Sequence, residues 1–247
     1  MPEDRSILTR SAPPPDAVLA YGPGPDDVAD LRSGGAGAAG RPVVVVMHGG
    51  FWRPAFDRMH LQPMAAALAG AGWSTLLPEY RRHPGHPDDT VADVHTAVLA
   101  ARRYPEVAAA GDGRIVLIGH SAGGQLVLQA AAALREEVTG VVALAPVADL
   151  VLAQDLALDG DAVRAFLGGD ARDRSDLDPA RMPAPTAWTL VVHGRHDDIV
   201  PLSVGESYCR QRPAAELIEV DGGHFGLIDP GSAIWPRVLE ALDRVSR

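Results

Sequence analysis

Short, uninterrupted apolar runs alternate with longer stretches of helical period along most of the chain. Val43–Met47, Ser74–Leu77, Ile115–Ile118, Val141–Ala145, Thr189–Val192 and Leu217–Val220 are the strand candidates. Most lack polar–apolar alternation, the pattern of strands covered on both faces in a parallel sheet. Leu61–Ala71, Thr90–Arg103, Gln125–Arg135, Val204–Gln211 and Trp235–Val245 read as helices between them. In Thr90–Arg103, Val91, Val94, Val98 and Ala101 recur at helical spacing, with Thr90 as the N-cap. Strand–helix alternation of this kind predicts an α/β fold with a doubly wound, mostly parallel sheet. The rhythm breaks at Asp149–Pro185, which is rich in Asp and Arg and carries one helical piece, Asp161–Leu167. It is too long for an ordinary connection and too polar to bury a core of its own. Residues 149–185 are therefore expected to form a lid-like excursion from a single domain spanning residues 1–247. Residues 33–40, SGGAGAAG, read as a flexible connector, and residues 1–19 as a flexible N-terminus.

Composition narrows the function classes. Of 247 residues, 47% are hydrophobic and 22% charged, the balance of a globular protein. The net charge of −10, with no basic cluster, argues against a nucleic-acid partner. The single cysteine, Cys209, excludes an internal disulfide and fits a reducing compartment. It has no adjacent base, which points to packing rather than nucleophilic chemistry. The N-terminus has no secretory apolar region, and no run approaches the ~18 consecutive apolar residues of a membrane span. A cytoplasmic protein without a membrane partner is expected.

The chemistry is concentrated where strands stop on glycines. After Ile115–Ile118 comes GHSAGG, residues 119–124, and then the helical run QLVLQAAAAL. A G-x-S-x-G pattern between strand and helix is a nucleophile elbow. The sharp turn raises the Ser121 hydroxyl clear of the sheet, and Gly119 and Gly123 let strand and helix pass closely. A serine in this role needs a histidine base and an acid, in the chain order Ser, Asp or Glu, His. Of the nine histidines only His193, His196 and His224 follow Ser121. His224 lies in the glycine-flanked loop DGGHFGLIDP, whereas His193 reads as a strand-end packing residue and His196 as exposed. HGRHDDIVP offers Asp197 and Asp198 as acids. The stretch VVVVMHGGFWR, residues 43–53, supplies the remaining part. Gly49 and Gly50 let a loop turn inward to present N–H donors to an oxyanion, each worth ~3–4 kcal/mol, alongside the Ala122 N–H. Phe51 and Trp52 are then expected to wall the substrate pocket, His48 to brace the loop, and Glu79 and Tyr80 to hold loops together. His83, His86, Asp88 and Asp89 lack a second ligand pair at zinc spacing, so no metal site is expected.

With HGGFW, GHSAGG, HGRHDDIVP and GGHF in this order, the chain resembles the α/β-hydrolase superfamily over roughly residues 20–245. Within it, the chain is similar to the small intracellular esterase, arylformamidase and prolyl-oligopeptidase-like group. The resemblance implies Ser121 as nucleophile, His224 as base and Asp197 as acid, with the N–H groups of Gly50, Phe51 and Ala122 as the oxyanion hole. Phe51, Trp52 and Phe225 are the expected substrate contacts. HGG followed by an aromatic residue and Trp is similar to kynurenine formamidases, although RRHPGHPDD and Asp149–Pro185 match no formamidase substrate site. The 42 residues before the first strong strand leave no room for a peptidase propeller.

The resulting expectation is a cofactor-free serine hydrolase of small carboxylic esters or aryl formamides, working through an acyl-enzyme. Kynurenine formamidase is the specific alternative, and acyl transfer to another alcohol shares the same residues. A catalytically idle ligand-binding protein is the rival class. The expected partner is a small-molecule ester or amide, with the chain acting as a monomer or a homodimer.

Overall fold

Uninterrupted apolar runs become the buried strands of one eight-stranded sheet. The computed structural model describes residues 3–247. In chain order the strands are β1 (Ala17–Ala20), β2 (Val28–Arg32), β3 (Val43–Met47), β4 (Thr75–Pro78), β5 (Ile115–His120), β6 (Gly140–Leu144), β7 (Trp188–Gly194) and β8 (Glu216–Val220). Their spatial order is β1-β2-β4-β3-β5-β6-β7-β8. From β4 to β8 every pairing is parallel, and β1 and β2 add an antiparallel edge. The helices are α1 (Gln62–Gly70), α2 (Pro87–Arg103), α3 (Pro105–Ala108), α4 (Ala122–Ala133), α5 (Leu150–Asp155), α6 (Leu158–Leu167), α7 (Leu202–Gln211) and α8 (Trp235–Val245).

Side chains alternate across a strand, so one run feeds two cores. Val43, Val45 and Met47 pack in the cluster that holds α2, α4 and α7. Val44 and Val46 face the cluster that holds α1 and α8. Helices thus cover both faces, which is the doubly wound arrangement expected. All six predicted strands are present, Val43–Met47 with the ends expected and the others shifted by one or two residues.

Several local expectations are corrected. Helix α2 begins at Pro87, not Thr90, because proline has no N–H to lose at the first helical position and its φ already suits the helix. Thr90 instead donates its hydroxyl to the Arg81 carbonyl. The supposed connector at 33–40 contains a 3-10 turn, Gly35–Ala38, with Ala38 buried. Gly34 and Gly37 carry no side chain because the Gly72 backbone lies against them.

Parts of the N-terminal segment expected to be flexible lie against the rest of the fold. Ser6–Thr9 form a 3-10 turn, Ile7 is buried against the cluster under α8, and Ala17–Ala20 pair with β2. Burying one isoleucine contributes about 2 kcal/mol towards seating the segment. Met1 and Pro2 lie outside the described residues. The excursion after β6 carries α5 and α6, whose Leu150, Ala153, Ala162, Val163, Phe166 and Leu167 join the α2–α4–α7 cluster. Its buried polar residues are paired, Asp178 with the Leu150 N–H and Asp149 with the Ser207 hydroxyl.

Candidate active site

The turn from β5 into α4 places Ser121 at φ 58°, ψ −120°, a left-handed conformation that a residue with a Cβ rarely adopts. Two contacts hold it there: Ser121 N–H donates to the Leu144 carbonyl (2.8 Å), and Val147 N–H donates to the Ser121 carbonyl (3.2 Å). Close passage requires glycine at both flanks. A Cβ at Gly119 would strike the Gly123 carbonyl, and one at Gly123 would strike the Met47 and His48 carbonyls. The helix N-terminus behind Ser121 leaves the Ala122 N–H without a partner inside α4.

Beside this corner, Gly50, Phe51 and Trp52 have φ of 106°, 49° and 54°, and Arg53 N–H donates to the Gly50 carbonyl (3.0 Å). This left-handed turn brings Gly50 and Phe51 to the wall of the cavity that Ser121 also lines. Among the described residues, neither amide donates to a backbone carbonyl. The loop is braced from below. His48 Nε2–H donates to Glu79 Oε1 (2.9 Å), and Tyr80 stacks on the imidazole (4.2 Å between ring centres) while donating its hydroxyl to the His48 carbonyl (2.6 Å).

Glu79 also accepts from the Arg58 N–H (3.0 Å) and from Arg82. Burial pushes its carboxyl up, but the hydrogen bond and charge of His48, the Arg58 amide and Arg82 outweigh it and hold the group at about 2. A depressed carboxylate stabilises the fold above its ordinary range and loses that contribution as pH falls through the folded value. Glu79→Gln is therefore expected to cost on the order of 3 kcal/mol at neutral pH. The gap to the unaltered protein should shrink as pH falls from 4.5 towards 2, which urea unfolding of both proteins across that range would measure.

Beyond β7, the loop that carries Asp197 turns its carboxylate inward. Asp197 Oδ1 accepts from the Ile199 N–H (3.0 Å) and the Val200 N–H (2.8 Å). Its Oδ2 accepts from His224 Nδ1–H at 2.7 Å. Burial raises this carboxyl, yet the neighbouring His193 and His224 imidazoles and the Val200 amide hold it well below the usual carboxylate range. His193, expected only to pack, lies with Nε2 3.5 Å from Asp197 Oδ2 and donates to the Val200 carbonyl (2.9 Å). Asp198 is exposed, and His196 reaches Asp221 at the surface.

His224 is buried, and its ring faces a cavity of ≈ 360 Å³ also lined by Gly50, Phe51, Phe56, Ser121 and Phe225. Ser121 and His224 thus share one chamber, with Asp197 behind the imidazole. With Nδ1–H held by a buried carboxylate, the imidazole keeps its Nε2 lone pair free to take a proton. A hydroxyl and a base in one cavity, with backbone N–H groups at its wall not engaged by backbone carbonyls, suit attack on a carbonyl carbon.

One expected substrate contact is corrected. Trp52 does not line the cavity: its indole N–H donates to Gln125 Oε1 (3.1 Å), and its ring stacks on Phe166 at 4.4 Å. A buried indole needs a hydrogen-bond acceptor, and α4 supplies one on the far side of the loop. Its neighbour Arg53 bonds the Asp159 carbonyl (2.6 Å) and carboxylate (2.7 Å), tying the loop to the excursion.

His120 went unforeseen. It is the residue between glycine and serine in the elbow, where the motif tolerates any type. Burial, followed by the neighbouring imidazoles, pushes its pKa well below the ordinary histidine value, and the neutral ring donates Nε2–H to the His224 carbonyl (3.1 Å). Cys209 stays away from the site on α7, its thiol raised to about 11 by burial. Among the described residues no cluster of His, Cys, Asp and Glu could hold a metal ion, and no helix is long and apolar enough to cross a membrane.

Residues 44–177 match the model of a family described by the alpha/beta hydrolase fold. The chain is 30% identical over 169 residues to a Mycobacterium tuberculosis protein provisionally named acetyl-hydrolase LipR, an alignment covering 66% of this chain. It spans about half, 49%, of that relative's length. A crystal structure from Silicibacter sp. TM1040, provisionally named a thioesterase, superposes with a TM-score of 0.72 at 26% identity, over 90% of this chain and 84% of the other. Thermogutta terrifontis esterase 2 shares the fold with a TM-score of 0.67 at 23% identity, over 92% of both chains.

Proposed function

The chain belongs to the alpha/beta hydrolase fold family, and from that premise we propose that it is a serine hydrolase of small carboxylic esters. The observation that carries this reading is a single chamber shared by Ser121 and His224, with Asp197 on the imidazole's far nitrogen at 2.7 Å. Ser121 Oγ attacks the ester carbonyl carbon while His224 Nε2 takes its proton. The carbonyl oxygen, now an oxyanion, is received by the N–H groups of Gly50, Phe51 and Ala122. The tetrahedral adduct collapses, the C–O bond to the alcohol breaks, and the proton on His224 passes to the departing alkoxide. Water then attacks the acyl-enzyme by the same route in reverse roles, releasing the acid and restoring Ser121. Asp197 stays ionised throughout and holds the tautomer. No step calls for a cofactor.

The esterase and hydrolase names of the relatives support ester chemistry, and the aromatic lining of Phe51, Phe56 and Phe225 favours an aryl or short acyl group. That lining, together with the HGGFW sequence, keeps aryl formamides as a second substrate class; kynurenine formamide hydrolysis is its specific form. In a chamber of ≈ 360 Å³, p-nitrophenyl acetate and butyrate are expected to turn over. The kcat/KM for p-nitrophenyl dodecanoate should be about tenfold lower or less. Turnover of these esters and of N-formylkynurenine, with the Ser121→Ala protein as blank, tests the reading. Faster hydrolysis of the formamide than of every ester would move the assignment to arylformamidase. No turnover, with no labelling by a serine-directed phosphonate, would leave a binding protein.

A further inference from the structure

The loop that bears His224 is held from outside the sheet by the first residues of the chain. Glu3 Oε1 accepts the His224 backbone N–H. Arg5 lies over the Phe225 ring, 5.5 Å from its centre, and Arg5 and Leu8 line the cavity wall. Ile7 is buried in the same cluster as Leu227 and Ile228. Arg10 forms a two-pronged pair with Asp229 (2.5 and 2.9 Å). These contacts fall on residues 224–229, from one segment of eight residues. This strap, residues 3–10, lies outside the stretch that matches the family model.

The neighbouring glycine shows where the same carboxylate sits. At Gly223 the three atoms nearest to an added Cβ are Oε1, Cδ and Oε2 of Glu3, all closer than a real Cβ tolerates, and the φ there lies outside the left-handed region. The absent side chain at position 223 is thus occupied by the Glu3 carboxylate. His224 is then fixed at three atoms from three directions. Its N–H is held by Glu3, its carbonyl by His120 and its Nδ1 by Asp197.

We infer that Glu3 is a positioning residue for the His224 imidazole, its carboxylate seated against Gly223 so that Nε2 is aimed at Ser121. The inference rests on the serine-hydrolase reading of the site. A carboxylate bonded to a buried main-chain N–H sets where the ring can point, so its loss acts on proton transfer and leaves substrate binding largely intact. The expected result for Glu3→Ala in the full chain is a fall in kcat of about tenfold with KM changed by less than about twofold. Glu3→Gln retains an acceptor oxygen and should recover most of kcat, to within about threefold.

Gly223→Ala should act by displacing the Glu3 carboxylate, giving the same selective loss of kcat. The double variant Glu3→Ala/Gly223→Ala should then be no slower than Glu3→Ala alone, because residues sharing one contact do not contribute independently. Activity on p-nitrophenyl butyrate, with thermal unfolding of each variant, supplies these numbers. If Glu3→Ala fails to fold, Gly223→Ala against Gly223→Ala/Glu3→Gln carries the same comparison. Unchanged kcat in Glu3→Ala, a loss confined to KM, or losses that multiply in the double variant would each overturn the inference. The Ser121→Ala protein separates the two levels. If it is inactive while Glu3→Ala matches the unaltered protein, only the strap fails. If Ser121→Ala turns over normally, the site reading fails, and the strap with it.

Discussion

Ser121→Ala is expected to lower kcat/KM for p-nitrophenyl butyrate by about 10⁴-fold or more while leaving the fold intact. The size of the loss follows from the role. Without the hydroxyl there is no acyl-enzyme, and only the oriented N–H donors and the pocket remain to assist water. The retained fold follows from the contacts. Ser121 Oγ makes no capping hydrogen bond to α4, and the conformation at 121 is held by the backbone bonds to Leu144 and Val147. The unfolding free energy should therefore shift by about 1 kcal/mol or less. A sharper companion is Ser121→Gly. A residue with a Cβ at φ 58° is strained, and glycine relieves it, so this variant should be equally inactive yet more stable, by about 1 kcal/mol. Stability gained as activity is lost would identify 121 as a place where the fold tolerates strain for the sake of the exposed hydroxyl. Turnover, phosphonate labelling and thermal unfolding of the three proteins give the answer; an undiminished rate in Ser121→Ala would reject the nucleophile.

The centre of the sheet was legible because its residues are apolar on both faces. Four valines in succession at 43–46, or Ile-Val-Leu-Ile at 115–118, have few ways to be satisfied except between two helical layers. The edge was not legible for the opposite reason. β2 buries Asp30 and Arg32, charges that read as loop in a linear pattern and are tolerated only through distant partners. Asp30 accepts from Gln62 (2.6 Å), and Arg32 donates to the Pro13 and Pro14 carbonyls (2.6–3.0 Å). At the site, the motif residues were visible because their spacing reflects one local turn or one loop. Trp52 was misjudged because adjacency to the glycines says nothing of which way an indole faces once the backbone enters left-handed φ. His120 and Glu3 escaped notice because each acts on a residue far along the chain, and His193, read as a packing residue, lies only four residues from the Asp197 it faces. His120 and Glu3 meet His224 across separations of 104 and 221 residues, and no period or motif encodes such a meeting.

Asp197→Asn and Asp198→Asn should differ by about three orders of magnitude in kcat, although the two residues are neighbours and the change is identical. At 197 the amide would keep its oxygen on the Ile199 and Val200 N–H groups, so the loop need not move. The NH₂ then replaces Oδ2 opposite His224 Nδ1. Two donors cannot face each other, so Nδ1 must become the acceptor and the ring proton moves to Nε2, where it blocks uptake of the serine proton. A loss of about 10³–10⁴-fold in kcat is expected, with KM nearly unchanged. At 198 the side chain lies exposed at the cavity rim without a bond to His224, and its amide should alter kcat by less than about threefold. Stability gives an independent check with a definite sign. The Asp197 carboxylate is held below its ordinary value, so the stabilisation it provides is complete above pH ~4 and is lost as pH falls through the folded value. The stability gap between Asp197→Asn and the unaltered protein should accordingly be widest near neutrality and narrow in acid, while Asp198→Asn tracks the unaltered protein. A crippled Asp198→Asn beside an active Asp197→Asn would make the 2.7 Å contact incidental and transfer the role of acid to residue 198.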